Sequence, residues 1–186
     1  MGRAPRARTA ALLAVGTLVV AAALAGCADE KKAAAPQLPE RTCFGVFTRS
    51  DLEPLMGDGE TVTVSGPADA RLNAQRRAAT CNVDVDGRGR VLVAATRQPL
   101  GQSFFWPPTD RSEPAPEPLA LGDKGLLWDT GARVALTCKG AEDSFELELG
   151  ISGSVEHVKP GTARALFTSL MTKYLESAKQ QTGCGT

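Results

Sequence analysis

The stretch Cys81-Asn82-Val83-Asp84-Val85-Asp86-Gly87-Arg88-Gly89-Arg90-Val91-Leu92-Val93-Ala94-Ala95-Thr96 decides the fold class of this chain. Apolar and polar residues alternate over Cys81–Val85, and Arg90–Thr96 is rich in β-branched valine, so both segments are predicted to be strands. Between them, Asp86–Gly89 consists of residues that favour turns and tolerate a positive φ. The sequence therefore predicts an antiparallel β-hairpin at this position.

Neighbouring segments extend this hairpin into a sheet. Thr61–Val64 and Leu126–Trp128 are predicted to be short strands, and Arg133–Cys138 with Phe145–Ile151 forms a second predicted hairpin. In the last segment, Phe145, Leu147 and Leu149 point to one face while Glu146 and Glu148 point to the other. The intervening segment 99–118 holds six of the twelve prolines, which excludes a helix or a central strand there.

Two helices are predicted. A short one follows Thr48 or Ser50, which can form capping boxes with Asp51 or Glu53, and Gly57 is its expected end. The long one covers Thr162–Gln181, with an apolar face of Leu166, Phe167, Leu170, Tyr174, Leu175 and Ala178. The expected fold is α+β, an antiparallel sheet with the short N-terminal helix and the long C-terminal amphipathic helix packed on one face.

Composition narrows the function classes. Among 186 residues, 42% are hydrophobic and the 21 basic residues equal the 21 acidic ones, so the chain is globular and lacks the basic excess of a nucleic-acid binder. The single histidine, His157, leaves little room for a metal site or a Ser-His-Asp triad. No G-x-S-x-G motif is present. We therefore expect no enzymatic activity, no catalytic residue, no metal and no cofactor.

The N-terminus has the pattern of an export signal. Met1–Thr9 carries Arg3, Arg6 and Arg8 without an acid, and Ala10–Gly26 is an uncharged apolar run that ends at Cys27. Leu24-Ala25-Gly26-Cys27 resembles the lipobox of bacterial lipoproteins. That resemblance implies that residues 1–26 are a signal peptide and that the Cys27 thiol is linked to diacylglycerol, with palmitate as a typical acyl group. Two acyl chains are enough for stable membrane anchoring.

The remaining chain divides into a tether and one domain. Residues 27–40 comprise the lipidated cysteine and a flexible linker, and residues 41–186 form a single α+β domain. The four other cysteines, Cys43, Cys81, Cys138 and Cys184, are an even number, which indicates two disulfides in an exported chain. Three pairings are possible, and Cys43–Cys81 with Cys138–Cys184 is favoured because each pair joins elements near in sequence. The wide spacings disfavour a metal site.

Beyond the lipobox, the chain resembles the uncharacterised lipoproteins of actinobacteria that contain domains of unknown function. The similarity lies in the Cys43 segment with its Thr48-started helix, the Cys81 strand, the Leu121-Gly122-Asp123 turn, and the Cys138 hairpin followed by a helix that ends in Gly183-Cys184. It implies an extracytoplasmic location, on the outer face of the cell membrane, and implies no activity.

The functional hypothesis is a non-catalytic domain that binds an unknown envelope protein or small ligand. Carriage of apolar molecules or lipids is the first alternative and an unrecognised envelope hydrolase the second. Phe104, Phe105 and Trp106 are the candidate contact residues, because three of the nine aromatic residues stand together in a proline-rich segment. The other interpretation of these three residues is a plug that packs on the sheet.

Overall fold

The computed structural model describes residues 37–100, 102, 115–140, 142–152 and 162–182, all within one unit, Lys31–Thr186. Its elements in chain order are β1 (Arg41–Thr42), α1 (Cys43–Val46), β2 (Phe47–Thr48), α2 (Arg49–Met56), β3 (Val62–Ser65), β4 (Ala78–Val85), β5 (Arg88–Pro99), β6 (Glu117–Pro118), β7 (Lys124–Leu127), β8 (Gly131–Thr137), β9 (Asp143–Ile151) and α3 (Thr162–Thr182).

A large antiparallel sheet is the centre of the fold. Seven strands pair in the order β3-β4-β5-β9-β8-β7-β6, while β1 and β2 form a separate two-stranded ladder. This arrangement, with the C-terminal helix α3, confirms the predicted α+β class. The six segments predicted to be strands are one fewer than the seven that the described residues contribute to the main sheet, because the two-residue strand β6 is too short to show an alternating pattern.

The β4–β5 hairpin confirms the prediction from which the fold class followed. The turn is shorter than the predicted Asp86–Gly89, because Val85 pairs with Arg88 across only Asp86 (φ 50°) and Gly87 (φ 71°). Two successive positive φ angles are the signature of a type I′ turn, which Asp-Gly adopts readily and whose twist matches that of the flanking strands.

The second predicted hairpin, β8–β9, is also present. Phe145, Leu147 and Leu149 are buried in the core, and Glu148 lies on the opposite face beside Arg133. Strand β9 pairs with β5 as well as with β8, so Leu149 faces both Val93 and Ala132. The two hairpins therefore share one continuous buried face.

Both helices begin at the predicted positions. Thr48 precedes α2, and its backbone N–H donates to the Asp51 carboxylate at 2.9 Å. Helix α2 continues through Pro54 and stops at Gly57, whose φ is 65°. Helix α3 lies against β7, β8 and β9. Its buried side chains are Ala163, Phe167, Leu170, Met171, Tyr174, Leu175 and Ala178.

The packed part of the chain reaches further toward the N-terminus than Arg41. Leu38 has a relative exposure of 1% and belongs to the core, and its carbonyl oxygen accepts a hydrogen bond from Arg49 Nε at 2.8 Å. At least the last residues of the predicted linker are therefore part of the domain. No helix within the described ranges is both long and apolar enough to cross a membrane.

Candidate functional site

The Cys43–Cys81 disulfide joins the N-terminal ladder to the sheet. The two cysteines are 38 residues apart in sequence, their Cα atoms are 5.3 Å apart, and their exposures are only 4% and 1%. This bond confirms one of the two predicted pairings and is the one disulfide among the described residues with both partners in place. Cys184 lies outside the described residues, so the pairing Cys138–Cys184 stays a prediction.

The four-residue element α1, which contains Cys43, is a left-handed turn rather than a regular α-helix. Cys43, Phe44 and Gly45 have φ angles of 43°, 61° and 71°. Each non-glycine residue in this region costs about 1–2 kcal/mol, so the surrounding contacts must hold Cys43 and Phe44 in place. The disulfide supplies one such contact. Sequence reasoning did not find this turn, and its one signal was Gly45.

Aromatic packing supplies the second contact. The Phe44 and Tyr174 rings stack with centroids 6.0 Å apart, and the Phe47 ring lies 6.1 Å from Tyr174 at a tilt of 58°. Tyr174 is fully buried, and its hydroxyl has no hydrogen-bond partner among the described residues. Burial raises the pKa of this phenol above its ordinary range, so it stays neutral at physiological pH. The rings of Phe44, Phe47 and Tyr174 therefore stabilise the core and provide no catalytic acid or base.

Two carboxylates of β9, Asp143 and Glu148, are held by guanidinium groups. Arg97 Nε donates to Asp143 at 2.7 Å, and the Arg77 guanidinium lies 3.7 Å from the same carboxylate. On the other face of the sheet, Arg133 donates to Glu148 at 2.7 Å, with both side chains largely covered. Both carboxylates are therefore engaged in structural ion pairs.

Ion pairs also fasten both helices to the rest of the domain. Arg164, in the first turn of α3, donates to Asp129 at 2.7 Å and also pairs with Glu117 of β6. The hydrogen bond to Asp129, followed by that to Glu117, raises the pKa of Arg164. Lys173 of α3 pairs with Asp51 of α2. These charges act as structural links.

Asp86 serves the hairpin turn. Its carboxylate accepts hydrogen bonds from Thr61 N at 2.9 Å, Thr61 Oγ1 at 3.0 Å and Glu60 N at 3.1 Å. The bonds from Thr61, then that from Glu60, lower the pKa of Asp86. Over the described ranges, no group of three or more His, Cys, Asp or Glu is arranged to hold a metal ion.

The arginine-rich stretch 71–97 does not form one patch. Arg76 pairs with Asp69 at 3.1 Å, and Arg77 and Arg97 share Asp143 near the end of β5. Arg88 and Arg90 lie at the opposite, turn end of that strand. Acidic residues pair with one group and the length of the strand separates it from the other, so the described arginines do not form one continuous basic patch.

Several predicted site residues lie outside the described residues, namely Cys27, Phe104, Phe105, Trp106 and Cys184, as does the single histidine, His157. The structure therefore brings together only Cys43 and Cys81 of the predicted set. Comparisons with protein families, with curated proteins and with solved structures find no match to this chain.

Proposed function

We propose that this chain is an extracytoplasmic domain, anchored by lipid on Cys27 to the outer face of the cell membrane, that binds a partner in the cell envelope without catalysis. The buried Cys43–Cys81 disulfide carries this proposal. Disulfides persist in oxidising compartments outside the cytosol and are rare in reduced ones. A disulfide buried in the core therefore supports the proposal that the domain is exported.

Sequence supports the anchor itself. The charged start, the apolar run and the segment Leu24–Cys27 stand in the order that a lipoprotein signal requires. Removal of residues 1–26 takes away three arginines and no acid, which leaves 18 basic against 21 acidic residues. A mature chain with an acidic surplus gains nothing from anionic lipids by charge alone, so acyl chains must supply the membrane affinity.

A second disulfide, Cys138–Cys184, belongs to the same proposal. Cys138 is disulfide-bonded, while the two other described cysteines are bonded to each other. We assign Cys184 as its partner because the proposed thioether occupies the sulfur of Cys27. Peptide mapping of the non-reduced mature protein separates these assignments. A Cys138–Cys184 peptide pair agrees with the proposal, whereas a Cys27–Cys138 pair contradicts lipidation.

The structural partners of three described carboxylates disfavour the hydrolase alternative. Asp143 and Glu148 are ion-paired, and the Asp86 carboxylate accepts hydrogen bonds from Thr61 and Glu60. The carrier alternative would need space between α3 and the sheet, where Phe167 and Met171 have 0% exposure. Native mass spectrometry of the purified protein tests that alternative, since a carrier would retain a bound lipid.

Membrane fractionation tests the anchor. We expect the wild-type protein and a matched Cys184→Ala control to sediment with membranes and to leave them only in detergent. The Cys27→Ala variant should instead be lost from the mature, membrane-bound pool. Equal retention of Cys27→Ala in the membrane fraction would contradict the proposal.

A further inference from the structure

We propose that the free edge of β3 (Val62–Ser65) accepts an extended segment of the partner protein, which adds to the sheet as a further antiparallel strand. This inference rests on the proposed binding function and specifies the surface that would bind the partner. Strand addition at a sheet edge is a common mode of peptide recognition, in which backbone hydrogen bonds provide affinity.

The register shows which backbone groups of β3 point to the free edge. In an antiparallel pair, hydrogen-bonded and non-hydrogen-bonded residue pairs alternate. Asp86 N donates to Thr61 O at 3.0 Å, and Thr63 lies opposite Asp84 two residues further along β3. The backbone of Thr63 therefore faces β4. By the same alternation, the N–H and C=O groups of Val62 and Val64 face away from the sheet.

Those outward groups are left without a backbone partner in the described part of the chain. Among the described residues, strand β3 pairs only with β4, and no hydrogen bond outside the sheet involves residues 62–65. Natural sheets usually protect an edge with proline, charged residues or a bulge. The opposite edge, β6, follows this rule with Pro118, whereas Thr61-Val62-Thr63-Val64-Ser65 has neither charge nor proline.

Side chains along the edge define the partner segment. Val62 and Val64 are half-buried and pack against the core, while Thr63 and Ser65 are exposed on the other face. An added strand would continue both faces, so it should be apolar at every second residue and polar between. Glu60, exposed just before β3, and Asp84, beside Thr63, form no ion pair among the described residues. Basic residues in the partner would complement these two carboxylates.

A second copy of this chain is the less suitable occupant. Two β3 edges paired about a twofold axis would join strands of only four residues, whereas stable interfaces bury at least about 1,200 Å². An extended segment can instead run beyond the strand toward Glu60. We therefore assign the edge to a basic, alternating segment of another protein.

The test uses the mature protein and a fluorescent heptapeptide, Lys-Val-Thr-Val-Thr-Val-Lys, as the probe. Val64→Pro removes an outward N–H without removing a bond to β4, and Val64→Ala is the matched control that loses the side chain but keeps the N–H. We expect the wild type and Val64→Ala to bind the probe with similar affinity. Val64→Pro should bind the probe about tenfold more weakly, because it loses one backbone hydrogen bond and disturbs the adjacent ones. A tenfold loss of affinity corresponds to about 1.4 kcal/mol.

A second measurement does not depend on the folding of a variant. Methylation of the peptide nitrogens on alternate residues that face β3 should abolish binding, whereas methylation of the other nitrogens should not. Absence of binding by the wild type, or equal binding of all peptides and variants, would overturn the inference. So would a dimer of the free protein that Val64→Pro dissociates, because a second copy would then occupy the edge. None of these outcomes changes the Cys27 fractionation, which tests the proposed function separately.

Discussion

Removal of the Cys43–Cys81 bond should destabilise the domain strongly. The chain-entropy expression for cysteines 38 residues apart gives about 4 kcal/mol at 25 °C. Release of the left-handed turn offsets part of this loss, because Cys43 can then leave its positive φ and regain about 1 kcal/mol. For the double variant Cys43→Ala/Cys81→Ala we therefore expect the free energy of unfolding to fall by about 3 kcal/mol.

Urea denaturation followed by tryptophan fluorescence measures this loss. The experiment omits reductant, so that any other disulfide stays intact in both proteins. The slope of the free energy against urea should increase in the variant, because an unlinked unfolded chain exposes more surface. A loss below about 1 kcal/mol with an unchanged slope would refute the view that this cross-link constrains the unfolded chain.

Three further changes test other parts of the structure. Gly45→Ala should lower the free energy of unfolding, measured by urea denaturation, by about 1 kcal/mol, since the φ of Gly45 is 71° and nothing blocks the new methyl group. Gly66→Ala should lower it clearly more, because the new Cβ would lie 2.5 Å from Thr80 O. Equal losses for the two variants would contradict the described packing. Tyr174→Phe should leave stability at neutral pH unchanged or slightly higher, because the buried hydroxyl has no described partner. Burial raises the pKa of Tyr174, so the neutral phenol contributes fully to the stability of the fold below about pH 10, the pH at which the unfolded phenol titrates. That contribution to stability is lost as the pH rises further. Tyrosinate absorbance of this single tyrosine should therefore appear only with alkaline unfolding, and its appearance in the folded protein would be inconsistent with burial. Asp86→Asn should lower the stability of the domain at neutral pH but not in acid. The pKa of Asp86 is lowered in the folded protein, so the ionised carboxylate stabilises the fold above pH 3.8, its ordinary pKa, and this stabilisation disappears as the pH falls through the folded pKa. The same loss of stability at all pH values would contradict this linkage.

Local sequence signals were sufficient for much of the fold. The turn-forming residues Asp86–Gly89 predicted the first hairpin, and the structure narrows the turn to Asp86-Gly87, which tolerates the two positive φ angles that this turn type needs. Of the two predicted capping boxes, that of Thr48 with Asp51 marks the start of α2. The spacing of Phe167, Leu170 and Tyr174 predicted α3. In each case the determining interactions lie within a few residues in sequence.

Features that depend on distant contacts escaped prediction. The placement of β9 between β5 and β8 follows from burial of a shared face, and no local pattern states which strands become neighbours. The left-handed conformation of Cys43 and Phe44 arises from the bond to Cys81 and from the ring of Tyr174, which is distant in sequence. The free edge at β3 is likewise a property of strand order, so the candidate interface could not be recognised from the sequence.

The most direct test of the account is the intact mass of the N-terminal peptide of the protein recovered from membranes. We predict a peptide that begins at Cys27 and carries diacylglycerol on its sulfur. An N-terminus at another residue, or a Cys27 sulfur that is free or bonded to another cysteine, would contradict the central claim.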